Sequence, residues 1–213
     1  MTGSRYSAAS GVVGKPGRVG AVAVTTIALV VAMFGGSALA QQDNAGAAAD
    51  LAAVPACINN KGEQVQFTAT DRGRPGVAAG MAIRDGSGKP VVLRSNFASA
   101  PREFQQFIDR HECAHHQTGD VDRPHPPRNG PEHLMNEAVS DCVAIRRLRD
   151  EEGFGKKAFD KVTAALRADM AKIGFPEISI ASRIRNISGC FENPASAGDL
   201  IGQVLKERGL PQR

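Results

Sequence analysis

The chain has no tryptophan, and its one tyrosine, Tyr6, stands near the beginning. Aromatic residues make up only 5% of the 213. Proteins that bind nucleic acids interleave aromatics with a basic stripe, and no such pattern is present, so a nucleic-acid partner is excluded. Long apolar runs are also scarce. The one extended run, residues 22–34, is shorter than the roughly 20 residues a spanning helix needs. There are four cysteines, Cys57, Cys113, Cys142 and Cys190, and no internal repeat.

What the first forty residues do contain reads as a secretory signal peptide. Arg5, Lys15 and Arg18 make a positive start, residues 22–34 an apolar middle, and Ala38-Leu39-Ala40 a small-residue cleavage site. These residues hold three of the 26 Lys and Arg and no acid, which leaves 23 basic against 22 acidic groups. The basic character of the chain therefore belongs mainly to its leader. Residues 41–56, rich in Ala, read as a low-complexity linker, and residues 57–213 as a single domain. The expectation is an exported protein, periplasmic or secreted, with no stable membrane span once the signal is removed. The Ala-, Gly- and Arg-rich composition points to a bacterium.

The chemistry is concentrated in Arg110-His111-Glu112-Cys113-Ala114-His115-His116, which contains H-E-x-x-H. Residues four apart on a helix differ by about 40° of rotation and about 6 Å of rise. His111 and His115 therefore share a face and can each give an imidazole nitrogen to one metal ion. Glu112 lies about 100° round from His111, where it can reach a water on that metal but is poorly placed to be a ligand. Two imidazoles beside a carboxylate base suit metal-assisted amide hydrolysis.

Downstream, Glu137 and Asp141 are again four apart. A catalytic zinc usually takes three protein ligands and leaves a fourth position for water, and Glu137 is the natural third. Asp141, one turn on, is placed to accept the second imidazole N–H of His111 and fix its tautomer.

Here the chain resembles the gluzincin class of zinc metallopeptidases, of which the thermolysin family is best known. That class pairs H-E-x-x-H on one helix with N-E-x-x-S/A-D on the next. The matching residues are His111, Glu112 and His115, then Asn136, Glu137, Ser140 and Asp141. The resemblance covers residues 111–141 and the helices around them. It implies a Zn2+ cofactor, a zincin-like core and hydrolysis of a peptide or protein substrate. The metzincin pattern is excluded, because Thr118 and Val121 stand where it needs Gly and His. The thermolysin family uses both a His and a Tyr to assist, and beyond the leader this chain has no Tyr. The oxyanion donor must then be a His, an Arg or the backbone. His116, His125 and His133 are candidates, with solvated loop residues as the default reading.

Two other readings use the same ligands. A non-catalytic exported zinc-binding module needs no general base, so Glu112 counts against it. An amidase acting on cell-wall peptides fits the same site. A closed structural zinc site usually has four protein ligands, one more than this pattern supplies.

The fold expected is α+β, a small antiparallel sheet on the active-site helix with a helical C-terminal half. Strand character runs through residues 65–69, 81–84 and Pro90–Ser95, the last two joined by an Asp85-Gly86-Ser87-Gly88 turn. Pro90–Ser95 is a candidate edge for pairing with extended substrate. The first helix is expected over residues 101–118, capped by Ser99 and ended by Gly119. A second helix, 131–152, carries an apolar stripe of Leu134, Ala138, Ile145 and Leu148. A third, 154–173, buries Phe159, Val162, Leu166 and Met170; a fourth carries Ile180, Ile184 and Ile187, with Arg183 as a salt-bridging or substrate-binding cation; a last one covers 199–208. For the cysteines, Cys113–Cys142 is expected to join the two active-site helices, leaving Cys57–Cys190 by elimination.

Overall fold

The three-dimensional description is a computed structural model, and it covers residues 51–211. The expected signal peptide, and residues 41–50 of the expected linker, lie outside the described residues. Residues 51–56 have no regular secondary structure, but Ala52 is buried and donates its N–H to Gln105 Oε1 at 2.8 Å.

Three strands form one sheet: β1 (Gln66–Thr70), β2 (Ala79–Arg84) and β3 (Pro90–Ser95), in the order β1-β3-β2. β2 and β3 form the expected antiparallel hairpin. Its turn is closed by Asp85, whose Oδ1 accepts from the N–H groups of Ser87 and Lys89 at 2.8 and 2.9 Å. Gly88 takes the left-handed conformation there, φ 83°, which costs a residue without Cβ nothing.

The sheet is mixed, not antiparallel as expected, because β1 runs parallel to β3. β3 is consequently the central strand and not an edge. Burial explains the order. Pro90, Val91 and Val92 are all buried, and a strand covered on both faces belongs in the middle, whereas β1 and β2 have no fully buried residue. Pro90–Ser95 is therefore not the edge strand expected; the edges of the sheet are β1 and β2.

Five helices follow: α1 (Arg102–Gln117), α2 (Pro131–Asp150), α3 (Lys156–Lys172), α4 (Glu177–Glu192) and α5 (Pro194–Glu207). The fold class is α+β. α1 packs on both the sheet and α2, burying Phe104, Phe107, Ile108, Cys113 and Ala114. Burying a side chain such as Phe107, 1% exposed, contributes about 1.5–3 kcal/mol. Ser99 does not cap α1. It sits in a short 3-10 turn, donating its hydroxyl to Asn96 O at 2.7 Å, and Pro101 takes the N-cap position.

Pro131 begins α2 in the first turn, where its missing N–H has no helical partner to lose. The stripe of α2 is Val139, Cys142, Ile145 and Leu148. Leu134 is 55% exposed, so the buried face starts a turn later than expected. The four expected core residues of α3 are buried, as are Ile180 and Ile187 of α4. α5 starts five residues ahead of the expected Asp199, with Pro194 in its first turn.

The disulfides join Cys57 to Cys113 and Cys142 to Cys190, not the pairs expected. Cys113 faces Cys57, Val65 and Val92 on the sheet side of α1. Cys142 lies in the core shared by α2 and α4, beside Cys190. α1 and α2 are thus each tied outwards to a different neighbour, and the two are not tied to each other. Among the described residues, no helix is long and apolar enough to cross a membrane.

Candidate metal centre

His111 and His115 lie on one face of α1, and Glu137 reaches them from α2. The two Nε2 atoms are 3.0 Å apart. Glu137 Oε2 is 3.5 Å from His111 Nε2, and its Oε1 is 3.4 Å from His115 Nε2. One ligand atom from each of the three residues fits within 4.8 Å. The sequence-predicted ligands are therefore brought together.

The far side of each ring meets an acid. His111 Nδ1 lies 2.8 Å from Asp141 Oδ1, as expected. That contact is an ion pair more than an aligned hydrogen bond, since the nitrogen has no partner in hydrogen-bond geometry. His115 Nδ1 lies 2.8 Å from Asp120 Oδ2, with Ser140 Oγ at 3.2 Å. An acid beside Nδ1 holds a proton there, so Nε2 is the nitrogen each ring can offer to a metal.

This arrangement tests whether a metal fits. Two imidazole Nε2 atoms 3.0 Å apart, facing one carboxylate, need positive charge among them, either protons on the rings or a metal ion. A cation accepting all three donors can take the place of those protons, and two imidazoles with a carboxylate are a donor set that zinc accepts.

Asp141 and Asp120 are themselves anchored. Arg183 of α4 meets Asp141 through Nε and Nη2, each at 2.9 Å, so this arginine salt-bridges. Asp120 accepts from Thr118 Oγ1 at 2.9 Å and lies 2.6 Å from Arg208 Nη1. Arg208 also donates to Asn136 Oδ1 at 2.6 Å and to Thr118 O at 2.8 Å. Asn136 and Ser140 thus both serve the neighbourhood of the ligands.

The acids outweigh burial in setting the charge of the rings. Burial disfavours the charged form of His111, but Asp141 and Glu137 raise its pKa to about 9. Burial likewise opposes charge on His115, while Asp120 and Glu137 raise it to about 10. Burial would raise Glu137, yet the two histidines hold it well below the usual carboxylate range. Asp141 is also lowered, against its burial, by Arg183 and His111.

Glu112 stands outside the ligand group, as its helical angle predicts. Its Oε2 accepts the N–H of Ala82 in β2 at 2.8 Å, which leaves Oε1 without that constraint. Of the three histidines considered as oxyanion donors, His116 is turned away. It is buried and donates from Nε2 to Val91 O at 3.1 Å, tying α1 to β3. His125 and His133 line the cleft with their rings 6.4 Å apart.

The cleft over the site measures about 1050 Å³. β2 runs along it. At one end Ala78 donates its N–H to Asp169 Oδ2 of α3 at 3.0 Å, in the middle Ala82 meets Glu112, and at the other end Arg84 Nε binds Asp122 Oδ1 at 2.6 Å.

Sequence reasoning missed Asp120 and Arg208. Asp120 had a faint signal, an acid just after the glycine that ends the ligand helix. Arg208 had none, since only tertiary packing brings α5 to Thr118. Comparison with known protein families, with curated proteins and with solved structures finds no match.

Proposed function

We propose that the protein is an exported zinc-dependent metallopeptidase that hydrolyses peptide bonds, of the gluzincin kind its two motifs resemble. The observation that carries this reading is Glu112. Its carboxylate lies one residue from a ligand, outside the ligand group, with one oxygen held by Ala82 and the other available. A passive metal store needs no such group.

His111, His115 and Glu137 would hold the ion, which supplies an acidified water and polarises the scissile carbonyl. Glu112 takes the proton of the attacking water at Oε1 and hands it to the departing amine nitrogen. Asp141 and Asp120 keep the two imidazole N–H groups on the side away from the ion. The cleft has room for an extended peptide of several residues beside β2. Export is supported by the leader-like first forty residues and by the two disulfides.

The test is a digest of a peptide library by purified protein, before and after chelation and after zinc is returned. Cleavage that disappears with the chelator and returns with zinc supports the reading. Chelator-insensitive cleavage, or no cleavage at all by zinc-loaded protein, removes it.

A further inference from the structure

Gly80 sits inside β2, in extended backbone that needs no glycine. A glycine in a strand interior often marks a place where something approaches closely. Here that something is the side chain of Glu112. A Cβ at position 80 would stand 2.3 Å from Glu112 Cγ, 2.9 Å from its Cδ and 2.8 Å from Ile108 Cγ2. All three are far inside van der Waals contact. By contrast, Gly86, in the turn of the same hairpin, has no atom within 4 Å of such a Cβ.

Two residues further on, the N–H of Ala82 binds Glu112 Oε2 at 2.8 Å. The two features act on one carboxylate. The missing side chain at position 80 lets Glu112 lie across the strand, and the amide at position 82 fixes where its oxygen ends. We propose that Gly80 is a positioning residue, which with the Ala82 N–H sets the carboxylate of Glu112 beside the ligand group. The inference rests on the reading of Glu112 as the base. It adds that the base is placed by the sheet as well as by its own helix.

The test compares Gly80→Ala, Glu112→Ala, the double variant and Gly86→Ala with the parent protein. Ala82 amide hydrogen exchange is read by NMR, independently of any activity. Gly80→Ala should speed that exchange to the rate seen in Glu112→Ala, because in both the amide loses its acceptor. Zinc affinity should stay that of the parent, since no ligand is touched. Peptide turnover should fall about 10²-fold, in kcat more than in KM, as a misplaced base predicts. Gly86→Ala should change none of these.

Folding is covered by the double variant. If Gly80 acts through Glu112, Gly80→Ala should lower the melting temperature less in the Glu112→Ala background than in the parent. Equal losses in both backgrounds, or Ala82 exchange unchanged in Gly80→Ala, would overturn the proposal. If the parent cleaves no peptide, the peptidase reading fails, while exchange and melting still decide whether Gly80 positions Glu112.

Discussion

Asp120 Oδ2 lies 2.8 Å from His115 Nδ1, across the turn that ends the ligand helix. The relationship repeats, on the second histidine, the one that Asp141 has with the first. Each ligand ring therefore has its own acid, and each acid its own arginine: Arg208 for Asp120 and Arg183 for Asp141. Gly119, at φ 76°, makes the turn that brings Asp120 back beneath His115. The first prediction follows. Asp120→Ala should keep zinc but bind it about 10–100-fold more weakly, the usual effect of losing a group that orients a ligand. Zinc titration against a competing chelator measures it. An unchanged affinity would show that Asp120 does not orient His115.

The two acids of α2 should separate in the same assay. Glu137 has both oxygens within 3.5 Å of the histidine Nε2 atoms, whereas Asp141 meets only the far side of His111. Glu137→Ala should therefore lose zinc at micromolar metal. Asp141→Asn should retain it with affinity reduced about 10–100-fold. The reverse pattern would exchange their roles.

Protons compete with the metal for the same nitrogens. The metal-free fold holds His111 at about 9 and His115 at about 10, both above the ordinary 6.5. A raised histidine pKa stabilises the fold fully below pH 6.5, and that contribution is lost as pH rises through 9 to 10. Metal-free protein should thus lose this contribution on alkalinisation, and zinc should bind more tightly at pH 8 than at pH 6.5. Calorimetry in buffers of different ionisation enthalpy should count about two protons released per ion. Zinc binding with no proton release at pH 7 would contradict the charge state described.

The disulfides can be checked directly. Non-reducing peptide mapping should recover Cys57–Cys113 and Cys142–Cys190 and no free thiol. The paired cysteines are 56 and 48 residues apart, and closing loops of that length in the unfolded chain is worth about 4 kcal/mol each in the chain-entropy account. Reduction should therefore lower the melting temperature markedly. A Cys113–Cys142 peptide would refute the packing of both α1 and α2.

Those cysteines show where the sequence was legible and where it was not. Helical periodicity located α1 to α4, and spacing identified His111, His115, Glu137 and Asp141, because those signals lie within one or two helices. Strand order was not legible. Alternation marks a strand but says nothing of its neighbours, so the parallel pairing of β1 with β3 appears only once both faces of β3 are seen to be buried. The disulfide pairing was misread although one clue was in hand. Cys113 is about 200° round the helix from His111. Glu137 brings α2 to the His111 face, so Cys113 points away from α2 and towards the sheet. Arg208 and Gly80 needed the packed structure, because their partners are 88 and 32 residues away in the chain.

The central claim is that His111, His115 and Glu137 bind zinc while Glu112 does the proton transfer, and Glu112→Gln tests it most directly. The variant keeps the size of the side chain and removes its basicity. Zinc content and peptide turnover should be measured on one preparation alongside the parent. The account predicts about one zinc per chain in both proteins, with turnover lower in the variant by roughly 10²-fold or more. Full turnover in Glu112→Gln, or loss of zinc from it, would contradict the account.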